Sequence, residues 1–180
     1  INSTDETTAQ QAFIGTNTGT VSNLRFENAT VNAKRYAAVI VGLNFGTVKD
    51  CETDASCKVT LDSHVDFTSI GHDTSSSLFA PSGGISAENR GVITNCVNRA
   101  DVTSDYTHVG GIAGQNTSAI SYCTNYGDIT AVATAGGIVG HLWGHTAIFG
   151  TVSYSGNMGN VTAIGSHIGG IVGWSRESAG

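Results

Sequence analysis

The chain has 180 residues with 24 Gly, 1 Pro, 12% charged residues, 7% aromatics and a formal net charge of −6. Its eight Lys and Arg form no patch in the sequence, which excludes nucleic acid and an anionic membrane surface as expected partners, and no apolar run approaches the roughly 20 residues of a membrane span. Helices are disfavoured because Gly inside one costs about 1 kcal/mol relative to Ala, while Val and Ile are too frequent for a disordered chain, so many short strands joined by tight turns fit best.

Residues 1–12 (INSTDETTAQQA) are polar and read as a lead-in to one domain over 13–180. From Phe13 a period begins with FIGTNTGTVSNLRFENATVNA, and VIVGLNFGTVKDCETDASCKVT repeats it from Val39. Residues 62–82 (DSHVDFTSIGHDTSSSLFAPS) interrupt the period and contain the sole proline, Pro81. Closer copies start at Gly83 (GGISAENRGVITNCVNRADVTS), Gly110 (GGIAGQNTSAISYCTNYGDITA) and Gly136, the last enlarged by a second insertion near 142–149. GGIVGWSRESAG closes the chain, which starts at Ile1 without Met and stops inside a repeat, and so reads as a fragment of a longer protein.

Aligning Ile14, Ile40, Ile85, Ile112, Ile138 and Ile171 gives spacings of 26, 45, 27, 26 and 33, so the unit is 26–27 residues with two insertions. Val21, Val48, Ile93, Ile120 and Val152 form a second apolar column. Leu24, Cys51, Cys96, Cys123 and Ser155 form a third, and Val31, Val59, Val102, Ile129 and Val161 a fourth. None follows the i, i+3, i+4 spacing of a helix. A unit of this size cannot bury its apolar side alone. Stacking units at about 4.8 Å turns each column into an inward ladder.

The expected fold is therefore all-β: a parallel β-solenoid of about five to six coils, roughly 25 Å long at that spacing. A propeller blade would need about 40–50 residues. The Gly pairs at 83–84, 110–111, 136–137 and 169–170 mark corners that need positive φ or close approach of neighbouring coils. Asn17, Asn44, Asn89 and Asn116 stack in one turn and Asn98, Asn125 and Asn157 in another, a structural role suited to Asn, which tolerates left-handed backbone and can bond up a column.

GGIAG (110–114), GGIVG (136–140 and 169–173) and the N-x-G-x-[VI] and C-x-N-x-G steps that follow them resemble the GLUG repeat of large bacterial surface proteins. That repeat is found in adhesin-like proteins and in non-catalytic regions of IgA-cleaving metallopeptidases. The resemblance covers roughly 13–180 apart from 62–82, and is weaker at 13–33 and 39–60, which lack the Gly pair. It implies an extracellular β-solenoid acting in attachment or as a spacer, and it transfers no catalytic residue.

The chemistry-bearing residues fit that reading. Cys51, Cys96 and Cys123 share a column with Leu24 and are expected to pack inward as small hydrophobes, with a Cys96–Cys123 bond within reach and a short Cys51–Cys57 bridge the better disulfide. His141 and His145 have a spacing that suits a metal only on a helix, and Gly140 and Gly144 argue against one. A cation at Asp62, His64, Asp66, His72 and Asp73, or calcium at Asp101 and Asp128, is weighed and set aside, the latter because Lys58 and Asn160 fall in the same column.

Carboxylates and basic residues are too scattered for a polysaccharide-cleaving β-helix, and no nucleophile or zinc-peptidase motif occurs, so no catalytic residue, metal or cofactor is expected. Thr60, Thr103, Thr130 and Thr162 read as ordinary outward strand residues, and the sequons at Asn2, Asn28, Asn116 and Asn160 as a by-product of Asn/Thr richness. The expected ligand contacts are Trp143, Phe149, Tyr154 and Trp174, with Tyr106, Tyr122 and Tyr126 one coil earlier. Expected partners are host or matrix glycan or protein. An uncapped coil adds end-to-end self-association.

Overall fold

The computed structural model describes residues 1, 10–62, 80–145, 148–165 and 167–178, and among them every regular element is a strand. Each coil contributes one strand to each of five parallel sheets, so the chain winds as a parallel β-solenoid. Sheet I holds Ile14–Asn17, Val41–Asn44, Ser86–Asn89, Ala113–Asn116, Val139–His145 and Val172–Ser178. Sheet II runs from Thr20–Ser22 to Thr151–Ser153, sheet III from Arg25–Phe26 to Gly156–Asn157, and sheet IV from Thr30–Ala33 to Val161–Ala163. Sheet V, from Ala37–Ala38 to His167–Gly169, leads into sheet I of the same coil.

The apolar columns are ladders. Val21, Val48, Ile93, Ile120 and Val152 pair in sheet II, and Val31, Val59, Val102, Ile129 and Val161 in sheet IV. Ile93, Ile120, Val102 and Ile129 are fully buried, and each such side chain contributes about 1.5–3 kcal/mol on leaving water. One column differs from the expected alignment. Ile14 pairs with Val41, not Ile40, so Phe13 occupies the isoleucine position and is 66% exposed at the first coil. The Asn17↔Asn44 pairing fixes that register, because the buried amides stack only if these two residues align.

The asparagines form two internal ladders. Asn17, Asn44 and Asn89 each donate from Nδ2 to Oδ1 of Asn44, Asn89 and Asn116 respectively, at 2.7–2.8 Å. Asn98 and Asn125 do the same to Asn125 and Asn157 at 2.7 and 2.8 Å. Each amide also closes a turn on itself: Asn89 donates to the Gly91 carbonyl at 3.0 Å and accepts the Gly91 N–H at 3.2 Å.

The corner glycines are explained by space alone. No described glycine has positive φ. A Cβ on Gly111 would lie 2.2 Å from Asn125 Cγ and 2.3 Å from the Gly137 carbonyl, and Gly84 and Gly137 likewise make room for Asn98 and Asn157, whereas a Cβ on Gly170 would meet nothing within 4 Å. Left-handed backbone falls instead on Asn23, Asn28, Tyr36, Asp50, Asn95, His108, Tyr122 and Tyr154.

All four cysteines are free and buried, so the Cys51–Cys57 bridge is not formed. Cys51, Cys96 and Cys123 each donate a thiol hydrogen bond to the carbonyl two residues back, at 3.2–3.3 Å. Cys57 belongs to another column, level with Ala29 and Ala100, and bonds the Phe26 carbonyl at 3.2 Å. Residues 63–79, most of the first insertion, lie outside the described residues, and with them His64, Asp66, His72 and Asp73. The second insertion is a hairpin in which Gly144 and His145 pair antiparallel with Phe149 and Ile148.

Candidate functional site

The four aromatic residues expected to act together occupy three separate places. The hairpin lengthens sheet I at one end: Val139–His145 pairs along its length with Val172–Ser178 and runs past the point where Ala113–Asn116 stops. A cavity of about 180 Å³ opens there, lined by Leu142, Trp143, Gly144, Phe149, Gly150, Ser175 and Arg176. Phe149, 50% exposed, lies across Gly144, where a Cβ would meet its ring at 2.4 Å. Trp143 and Phe149 are thus brought together by the insertion.

Trp174 is not part of that cavity. Register places it in the column Leu43, Glu88, Gln115, His141, Trp174, and its ring stacks on His141 with centroids 4.6 Å apart. His108 also stacks on His141 at 4.5 Å and lies 6.2 Å from Trp174, and His167 meets Trp174 at 4.9 Å. Arg176 lies 5.6 Å over the Trp174 ring. His141 is only 7% exposed and neither ring nitrogen has a hydrogen-bond partner. Burial pushes its pKa down to about 4, helped by Arg176 and His167, and pushes that of His108 down to about 3, helped by His141. His108 and His141 are therefore neutral at pH 7 and pack with Trp174 as an aromatic unit.

Tyr154 lies at the corner between sheets II and III, where it stacks on Tyr122 at 4.9 Å with planes 6° apart. Tyr106 is 2% exposed and belongs to the core. Tyr126 is 47% exposed beneath the Arg99 guanidinium, 4.4 Å from its ring centre.

Two sets of carboxylates are occupied within the fold. Asp101 Oδ1 accepts the Asp128 N–H at 3.0 Å, and Asp128 Oδ1 accepts the Asn160 N–H at 2.8 Å, so this column caps strand starts from coil to coil. Arg25 bonds Glu27, Glu52 and Asp54 at 2.8, 3.1 and 2.9 Å, and Arg99 shares Glu52 at 3.0 Å. Among the described residues no group of three or more His, Cys, Asp or Glu is placed to hold a metal ion. Asn116 of the third sequon is buried inside its ladder.

The histidine–tryptophan stack went unread in the sequence. Its signal was present, because GGIVG-His141 and GGIVG-Trp174 put two flat rings at one position of successive coils.

Residues 105–130 match the family model of the GLUG motif. They span one coil, whose Ala113–Asn116 strand pairs in register with Ser86–Asn89 before it and Val139–His145 after it. No curated protein and no solved structure matches the chain.

Proposed function

Taking the chain as a GLUG-motif repeat protein, we propose that it is a non-catalytic binding and spacer module of a bacterial surface protein, displayed outside the cell and attaching to a host or matrix glycan or protein. The observation that carries this reading is the division of labour between interior and surface. Polar side chains that recur by coil bond one another: amides to amides, carboxylates to backbone N–H groups, arginines to carboxylates. Exposed aromatic rings lie toward both ends of the solenoid: Phe13 and Phe45 are 66% and 48% exposed in the first coils, and Tyr122, Tyr126, Phe149 and Tyr154 are 47–79% exposed in the later ones. A rod whose recurring polar groups are bonded within it and whose exposed side chains include aromatic rings suits attachment better than chemistry, which needs a free acid–base pair or nucleophile.

End-to-end association belongs to the same proposal. Ile171 is 40% exposed and Ile168 48%, whereas Ile138 and Ala135 one coil earlier are fully buried, and a second copy stacked on that face would cover them. The test is an array of glycans and matrix proteins probed with the wild type, Trp143→Ala and Tyr154→Ala. Trp174→Ala is unsuitable because it removes packing from His141. A specific signal lost in either variant supports attachment, and turnover of an arrayed polysaccharide overturns the non-catalytic reading.

A further inference from the structure

The outer face of sheet III carries three columns of side chains. In the first, Asn23, Asp50, Asn95, Tyr122 and Tyr154 all have left-handed backbone, with φ of 57°, 54°, 50°, 53° and 47°. Asn and Asp adopt that conformation readily, while a bulky aromatic gains nothing from it. The last two coils nevertheless place tyrosine there. Both rings are exposed, 59% for Tyr122 and 79% for Tyr154, and they lie parallel. At these two positions the left-handed backbone holds the paired rings out in solvent, a local strain of the kind that clusters at functional sites.

The middle column is Arg25, Glu52, Val97, Thr124 and Gly156. The third, two residues further on, is Glu27, Asp54, Arg99, Tyr126 and Met158. Over the last two coils, therefore, Tyr122 and Tyr154 form one ridge, and Tyr126 and Met158, 47% and 71% exposed, form another. Four residues of chain, bent at Tyr122, set them at most roughly 13 Å apart. Between them the floor is Thr124 and Gly156, and a Cβ built on Gly156 would meet nothing within 4 Å. The result is an open trough with aromatic sides and a small, polar floor.

Charge decides what it would hold. The charged side chains of the columns are engaged within the face: Arg25 with Glu27, Glu52 and Asp54, Arg99 with Glu52 and the Tyr126 ring, and Asp50 accepting from Asn95 Nδ2 at 2.7 Å. The Tyr122–Met158 end is itself uncharged. It offers ring faces and phenol hydroxyls, with Met158 as its single flexible apolar chain. Flat rings beside hydroxyls complement a pyranose, which has an apolar face of C–H groups and a rim of hydroxyls, whereas an apolar peptide anchor calls for a deep aliphatic pocket.

We infer that this trough binds an uncharged oligosaccharide, with sugar rings stacked on Tyr154 and Tyr126 and hydroxyls bonded at the Tyr122, Tyr154 and Thr124 oxygens. The inference rests on the binding-module reading above and assigns its ligand class and its place.

The test is isothermal titration of the whole chain with hexasaccharides of α-linked glucose, β-linked glucose and N-acetylglucosamine, alongside hexagalacturonate and a nonapeptide rich in Leu and Phe. The variant is Tyr122→Asn with Tyr154→Asn, which restores the residue found at Asn23 and Asn95 and leaves the melting temperature equal or higher. Binding of a neutral hexasaccharide, weakened at least about tenfold in this variant and unchanged in Thr103→Ala on the outer face of sheet IV, supports the inference. Four results overturn it: no neutral hexasaccharide bound, binding indifferent to the double substitution, preference for hexagalacturonate, or capture of the peptide at this face. Sugar binding lost in Trp143→Ala alone would leave the attachment role standing and remove the trough from it.

Discussion

Asn125→Ala tests the solenoid at its most economical point. The Asn125 side chain is fully buried, donates to the Gly127 carbonyl and to Asn157 Oδ1 at 2.8 Å each, and accepts from Asn98 Nδ2 at 2.7 Å. Truncation deletes three hydrogen bonds of about 1 kcal/mol each and adds part of the desolvation cost of the partners left behind. Asn98 keeps its bond to the Ala100 carbonyl and Asn157 Oδ1 keeps the Gly159 N–H, so neither is wholly orphaned. The expected loss is about 3–4 kcal/mol, a large share of the roughly 5–15 kcal/mol of a typical domain. Asn125→Thr is the internal control. Thr53 holds the same column one coil below Asn98 and its hydroxyl bonds Asn98 Oδ1, so threonine should recover about half of the loss. Equilibrium urea unfolding followed by far-UV circular dichroism measures both. A cost below about 1 kcal/mol for Ala, or no difference between Ala and Thr, would refute the ladder as a source of stability.

Acid should loosen the histidine stack. His108 and His141 titrate at about 3 and about 4 in the folded chain against an ordinary 6.5, so the unfolded chain binds more protons between those values. Their contribution is complete above pH 6.5 and falls with pH by up to about 1.4 kcal/mol per unit for each ring. Melting temperatures from pH 7 to 4 should drop, and less steeply in His141→Gln; equal slopes would contradict the burial argument. Gly111→Ala, whose Cβ would lie 2.2 Å from Asn125 Cγ, should cost about 2–3 kcal/mol or prevent folding, read by the same urea titration. The thiols should resist iodoacetamide. Cys96 is pushed up to about 12 by its bond to Cys123 and by burial, and all four are 0–1% exposed, so native labelling should run at least about 100-fold slower than in urea by mass spectrometry.

The repeat made most of the fold legible. Columns such as Val48, Ile93 and Ile120 recur because stacked coils place equivalent residues above one another, which converts three-dimensional neighbourhood into sequence spacing. The same logic exposed the cysteine column and the two asparagine columns. It slipped by one residue at Ile14, where the eye aligned Ile with Ile and the amide of Asn17 would have aligned the coils correctly.

The site was less legible, since its parts lie where the period changes. Trp143, Phe149, Tyr154 and Trp174 are close in sequence, yet a coil turns through five sheets in fewer than 30 residues, so the hairpin, the corner of Tyr154 and the His141–Trp174 stack face different ways.

What the amino-acid order determined by itself is the architecture: short β-branched segments at a fixed period can bury their apolar side only by stacking. What only the tertiary structure decided is local backbone geometry and pairing across coils. Glycine supplies room for a neighbouring amide and not positive φ, that conformation falls on Asn, Asp, Tyr and His108, and Tyr122 meets Tyr154. Those outcomes depend on which atoms approach from the adjacent coil, and spacing along one chain carries no record of that approach.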